Sequence, residues 1–143
     1  MSTDRIEKSI VLNASREQVW RAISDAAQFG TWFGVRFDGP FTAGTRLTGR
    51  IVPTQMDPEI ARHQQPYEGQ TFDFWVERME PMERIAFRWH PSGGQDPNEP
   101  TTDVVFELRD APGGAILLTV TESGFDQLPP DRRAKAVEAK RAL

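Results

Sequence analysis

Three stretches near the end of the chain alternate apolar and polar residues with a period of two. Ile85, Phe87 and Trp89 alternate with Ala86, Arg88 and His90. Val104, Phe106 and Leu108 alternate with Asp103, Val105, Glu107 and Arg109, and Leu118 and Val120 alternate with Thr119 and Thr121. Strands of this kind have one apolar face, as in an antiparallel sheet covered on one side. Such a sheet needs a layer over that face. The long element able to supply it is a C-terminal helix: Pro129-Pro130-Asp131 suits a helix start, and 132–143 contains no breaker. Its apolar positions, Ala134, Ala136, Val137, Ala139 and Leu143, are mostly small and allow close approach to the sheet or leave room beside it. The expected packing sets Ala134 or Ala136, with Val137, against Phe106. His90 has the parity opposite to Trp89 and is expected on the exposed side.

The remaining segments fit the same plan. Residues 5–12 alternate loosely, Ile6, Lys8, Ile10 and Leu12 against Glu7, Ser9 and Val11. Ser15-x-x-Gln18 has the form of a capping box opening a helix, in which Val19, Trp20 and Ile23 fall on one side and Trp20 is expected to pack. Asp25 suits the cap of a second short helix, Ala26–Trp32, which Gly34 ends. Strands are expected at 35–37, 45–52, 67–79 and 84–90, with turns at Asp38-Gly39-Pro40, Ala43-Gly44 and Pro81-Met82-Glu83. Residues 53–66 hold three prolines and read as a long loop with one helical turn at Pro58–His63. Parity over 72–77 is contested between Phe72, Phe74 and Val76 on one side and Trp75 on the other, which points to a bulge. The whole is an α+β chain: an antiparallel sheet of about six or seven strands, two short helices near the N-terminus and a long C-terminal helix. With 143 residues, it has the size of one domain, 1–143.

Composition removes several functions. There is no cysteine and there are only two histidines, His63 and His90, so neither thiolate chemistry nor a histidine-rich metal site is expected. A net charge of −4 argues against nucleic acid. The basic stretch Asp131–Arg141 reads as a solvated helix face. No apolar run is long enough to span a bilayer, and the polar start MSTDRIEKS lacks a secretory pattern, so a cytoplasmic protein without membrane contact is expected. Ser123 lies in Thr-Glu-Ser-Gly rather than in a nucleophile elbow, and the glycine pairs at 93–94 and 113–114 read as hairpin turns. No catalytic motif and no cofactor site emerges.

The segments IEKSIVLNASREQVWRAISDAAQFGTWFG (6–34), VERMEPMERIAFRWHP (76–91) and GGAILLTVTESGF (113–125) resemble the START-like (SRPBCC) superfamily, in the branch related to the C-terminal domain of the activator of Hsp90 ATPase. The resemblance implies a helix-grip fold, a curved sheet wrapped around the C-terminal helix with a cavity between them. Relatives commonly continue the last helix through a Gly-Trp pair, whereas this sequence stops at Leu143. Either the sequence is cut short or the pocket is covered less fully. Members of the superfamily bind lipids, hormones and polyketides, and some are cyclases or hydrolases.

Trp32 and Phe33 end the second helix, where the family's cavity mouth lies. With Phe87, Trp89, Phe106, Val120 and Phe125 they form the expected ligand-binding set; for any single aromatic among them core packing is the better account, and the case for a cavity is collective and rests chiefly on the resemblance. Glu122 shares the parity of Leu118 and Val120. Directed at the apolar face, it would be a polar anchor or a general acid/base. The competing expectation, slightly favoured at a strand end, is that the strand twists open at Ser123-Gly124 and the carboxylate meets water or an arginine. The leading functional expectation is a binding domain with an apolar cavity of roughly 300–1,000 Å³ for an amphipathic or aromatic small molecule. The alternatives are a cyclase- or hydrolase-type enzyme using Glu122, or a chaperone-interaction module. That last is weakened because the chain has no room for the partner domain that stimulatory relatives carry. Homodimerisation stays open.

Overall fold

The computed structural model describes residues 5–54, 58–90 and 101–124, and of Trp32 only the backbone. The expected helix at 132–143 and Phe125 lie outside the described residues. The elements run β1 (Arg5–Leu12), α1 (Arg16–Ser24), α2 (Ala26–Phe33), β2 (Val35–Phe37), β3 (Thr45–Ile51), α3 (Pro58–Gln64), β4 (Thr71–Glu80), β5 (Arg84–Trp89), β6 (Thr102–Asp110) and β7 (Ile116–Ser123). The seven strands form one antiparallel sheet in the order β1-β7-β6-β5-β4-β3-β2.

Local chemistry sets the helix ends. The Ser15 hydroxyl accepts the Gln18 backbone N–H at 3.1 Å, and the Gln18 side chain accepts the Ser15 N–H at 3.0 Å, completing the capping box. Asp25 then caps α2 through Ala27 and Gln28 N–H, at 2.9 and 3.1 Å. Gly34, at φ 85°, closes α2 in the left-handed region, with its N–H on the Gly30 carbonyl. α2 presses hard on β2 at Gly30, where a Cβ would stand 2.1 Å from the Val35 carbonyl oxygen. Glycine is therefore the residue that fits.

Directly opposed residues in antiparallel strands share a face, so the register defines two sides of the sheet. The inner side carries Leu47, Phe72, Phe74, Val76, Ile85, Phe87, Trp89, Val104, Phe106, Leu108 and Leu118, all buried. On β1 the same side carries Ile6, Lys8, Ile10 and Leu12. A register shift between Val76 and Arg78 resolves the contested parity of β4. Glu77 is the extra residue, and it pairs with Arg88 at 3.0 Å. α2 lies on the inner side and plants Phe29, fully buried, among Phe33, Phe37, Phe41, Phe74, Phe87 and Phe106, with ring centroids 4.9–6.4 Å away.

Several expectations need correction. His90 is buried, not exposed, although its parity is as expected: its ring stands edge-on to Trp75 at 5.5 Å on the outer side, beside the Arg88 guanidinium stacked over Trp75. Trp20 does pack against the core as expected, though from its margin and only half-buried. β4 begins at Thr71, after a 3-10 turn at Gln65–Tyr67. The expected single turn at Pro58–His63 is a seven-residue helix, α3. Its last residue, Gln64, is a brace, donating to the Phe33 carbonyl at 2.8 Å and accepting the Thr54 N–H at 2.9 Å.

Because Phe29 is the ring through which α2 meets four strands, Phe29→Ala is expected to destabilise the fold by about 3–5 kcal/mol. Trp20→Ala, removing a half-exposed side chain, is expected to cost clearly less. Urea denaturation of the two variants side by side measures both; equal losses would show that α2 is not anchored through Phe29.

Candidate functional site

The inner side of the sheet divides into two parts. Over β3–β6, α2 and the aromatic cluster fill it: Phe74 and Phe87 are 4.6 Å apart, and Phe87 meets Phe106 at 5.8 Å. Over β7 and β1 the cover among the described residues thins. Val120 is half-buried, and Ile10 on the inner side of the edge strand is 56% exposed. Trp89 and Glu122 sit where these parts meet.

Glu122 is buried, at 6% exposure. β7 does not twist open at its end, since Ser123 keeps its place opposite both Arg5 and Asp103. The carboxylate therefore follows the parity of Leu118 and Val120 onto the inner side, and no arginine pairs with it among the described residues. Two neutral donors converge on one oxygen. The Trp89 indole N–H donates to Oε2 at 3.0 Å, and the Thr102 hydroxyl donates to the same atom at 2.6 Å. Thr102 is fully buried and directly opposite Trp89. Glu122 is opposite Val104, two residues along β6, so three strands meet at this carboxylate. Oε1 takes no hydrogen bond among the described residues, and it is not one of their enclosed side-chain atoms left without a partner.

The expected ligand-binding residues thus fall into three groups. Phe33, Trp89 and Glu122 come together: Phe33 stacks on Trp89 at 5.6 Å with an interplanar angle of 27°, and Trp89 holds Glu122. Val120 lies on the same face one inner position along β7 and directly opposite Phe106. Phe87 and Phe106 belong to the packed part, beneath Phe29. The Trp32 side chain and Phe125 are outside the described residues. Thr102 escaped the sequence reading, although it shares the parity of Val104, Phe106 and Leu108.

Two open hollows lie elsewhere. One of about 870 Å³ runs between α2, β2 and the stretch after β3, along Ala26, Gly30, Phe37, Phe41 and Pro53. The other, about 490 Å³, adjoins Arg16, which ties the start of α1 to the Met82 carbonyl at 2.8 Å and to Asp110 at 2.8 Å. None of the expected binding residues lines either hollow. Among the described residues there is no group of three or more side chains suited to a metal ion, and no helix long and apolar enough to cross a membrane.

Thr102→Val keeps the shape of the side chain and removes one donor from a buried carboxylate. The expected cost is about 1–3 kcal/mol, with most of it restored in Thr102→Ser. Chemical denaturation of the two variants checks this; an unchanged Thr102→Val would mean that the hydroxyl contributes nothing there.

The geometry can now be set beside known proteins. No curated protein matches the sequence significantly. Among solved structures, DynU16, a protein in the dynemicin biosynthetic locus, superposes with a TM-score of 0.66 at 24% identity over 95% of this chain. This chain spans 42% of DynU16. Protein MLL2253 from Mesorhizobium loti gives a TM-score of 0.66 at 22% identity, covering 96% of this chain and 87% of that one. The Aha1 dimer from Colwellia psychrerythraea gives 0.64 at 16% identity, covering 95% and 87%. At such identities these likenesses speak to the fold. The family described as activator of Hsp90 ATPase homolog 1-like protein matches residues 13–140, nearly the whole sequence. The chain belongs to that family, and through it to the START-like (SRPBCC) superfamily.

Proposed function

We propose that residues 1–143 form one helix-grip domain that binds a small amphipathic or aromatic molecule on the inner side of the sheet, over β7 and β1. The carrying observation is the boundary at Trp89 and Glu122. On one side of it the aromatic core is closed, and on the other apolar inner-face positions remain accessible at Val120 and Ile10. A buried carboxylate at the edge of an apolar surface matches the general make-up of small-molecule sites, which are mostly apolar with a few placed polar groups. In this reading the second wall of the site is left to the expected helix at 132–143, which lies outside the described residues. Phe33, Trp89, Val120 and Glu122 are its contacts from the described part, and Phe87 and Phe106 support them from the core. The placement of DynU16 in a biosynthetic locus agrees with a partner of small-molecule chemistry for this fold.

The face assignment makes a sharp test. Ile10 and Val11 are adjacent on β1 and almost equally exposed, at 56% and 57%, but they point to opposite sides of the sheet. Titration with 2-methylnaphthalene, followed by tryptophan fluorescence, is expected to give saturable quenching through Trp89. Ile10→Asp is expected to weaken that binding by about tenfold or more, roughly 1.4 kcal/mol, and Val11→Asp to leave it unchanged. Native mass spectrometry of freshly purified protein offers an independent check for a co-purified small molecule. Absence of saturable binding together with an unoccupied mass would overturn the reading.

A further inference from the structure

The two donors at Glu122 are not interchangeable with a ligand's groups. An indole N–H donates and never accepts, and it is fixed on Oε2 by a buried ring stacked against Phe33. The Thr102 hydroxyl gives its single proton to the same oxygen. Oε2 is thereby spoken for, and no lysine, arginine or histidine pairs with the carboxylate among the described residues. A carboxylate has acceptor sites on both oxygens, and leaving one unanswered in a buried position is unfavourable.

We infer that Glu122 Oε1 is a polarity-reading position, one that selects ligands carrying a hydroxyl or ammonium donor on an aromatic skeleton and rejects those presenting an acceptor there. This rests on the proposed binding of small molecules over β7 and β1, and narrows it to a chemical class. Trp89 contributes twice. Its N–H orients the carboxylate, and its ring, continued by Phe33, offers the stacking surface beside it. A hydroxyl or ammonium group donating to Oε1 completes the carboxylate, whereas a carbonyl or carboxylate would put two acceptors face to face.

The arrangement also dictates what an isosteric substitution does. In Glu122→Gln the amide oxygen has to stay where Trp89 N–H and Thr102 O–H converge. The amide NH2 then takes the place of Oε1, and an acceptor position becomes a donor position. The mutation should reverse the preference rather than merely weaken binding.

The experiment is a fluorescence titration of the wild-type chain and Glu122→Gln with four probes on one ring system: 2-methylnaphthalene, 2-naphthalenemethanol, 2-naphthylmethylammonium and 2-acetonaphthone. The wild type is expected to bind the alcohol and the ammonium about tenfold tighter than the methyl compound, and the ketone no better than it. Glu122→Gln is expected to lose the ammonium preference and to favour the ketone, with the methyl compound unchanged. If the wild type binds all four alike, the polarity-reading role is overturned while the binding reading stands. If it binds none of them saturably, the binding reading fails and takes this inference with it. The wild-type series decides the point even where circular dichroism shows that Glu122→Gln does not fold.

Discussion

The fold depends on one ring being in the right place. α2 is only eight residues long, and an isolated helix of that length is not stable in water. It exists because Phe29 inserts into the aromatic cluster of the inner face, touching side chains from β2, β4, β5 and β6 and from the loop before β3. The close passage at Gly30 and the left-handed closure at Gly34 let the helix lie flat enough for that insertion. Gln64 then locks its far end through the Phe33 carbonyl. Since Phe33 is one turn on from Phe29, the same placement that fills the core also sets the ring that stacks on Trp89.

That linkage explains why the candidate site has a sharp edge. Apart from Trp89 at the border, the aromatic side chains over β3–β6 are consumed by packing in the cluster around Phe29, so they cannot also line a cavity. The accessible apolar positions are those that α2 does not reach, on the two strands at the far side of the sheet. Glu122 is tolerated at the border because two neutral donors meet one of its oxygens, and the strand beneath it keeps its register to the last residue.

Much of this was legible in the sequence, for physical reasons that differ between elements. The alternation in 85–89, 104–108 and 118–122 gave the inner face correctly, since a one-sided sheet leaves no freedom in parity. The capping box at Ser15 and the cap at Asp25 are local chemistry, and local chemistry reads well. The inward direction of Glu122 followed from parity too, against the expectation that the strand end would open. His90 was misread because it meets Trp75 of the neighbouring strand β4 on the outer side, beside the Arg88 guanidinium of β5, and alternation does not report such cover. Thr102 was hidden by the Pro- and Gly-rich stretch before it, which obscured where β6 begins. Phe29 and Gln64 act across long sequence distances, and nothing in their own segments marks them out.

The pairing of β1 with β7 has a consequence for how the chain comes into being. Ser9 and Thr119 share a hydrogen bond across a sequence separation of 110 residues, and among the described residues β7 is the one neighbour β1 has in the sheet. During synthesis Arg5–Leu12 emerges before β7 and must wait for it, with five strands of the sheet between them in the chain, before it can pair. Closing so long a loop carries an entropic cost that hairpins β3–β4 and β4–β5 do not bear. The sheet can therefore grow by successive hairpins from β2 through β7, with the N-terminal strand added last. The nascent chain would carry Ile10 and Val11 unpaired until β7 has emerged, and the edge that completes the proposed site would be the last strand of the sheet to take shape.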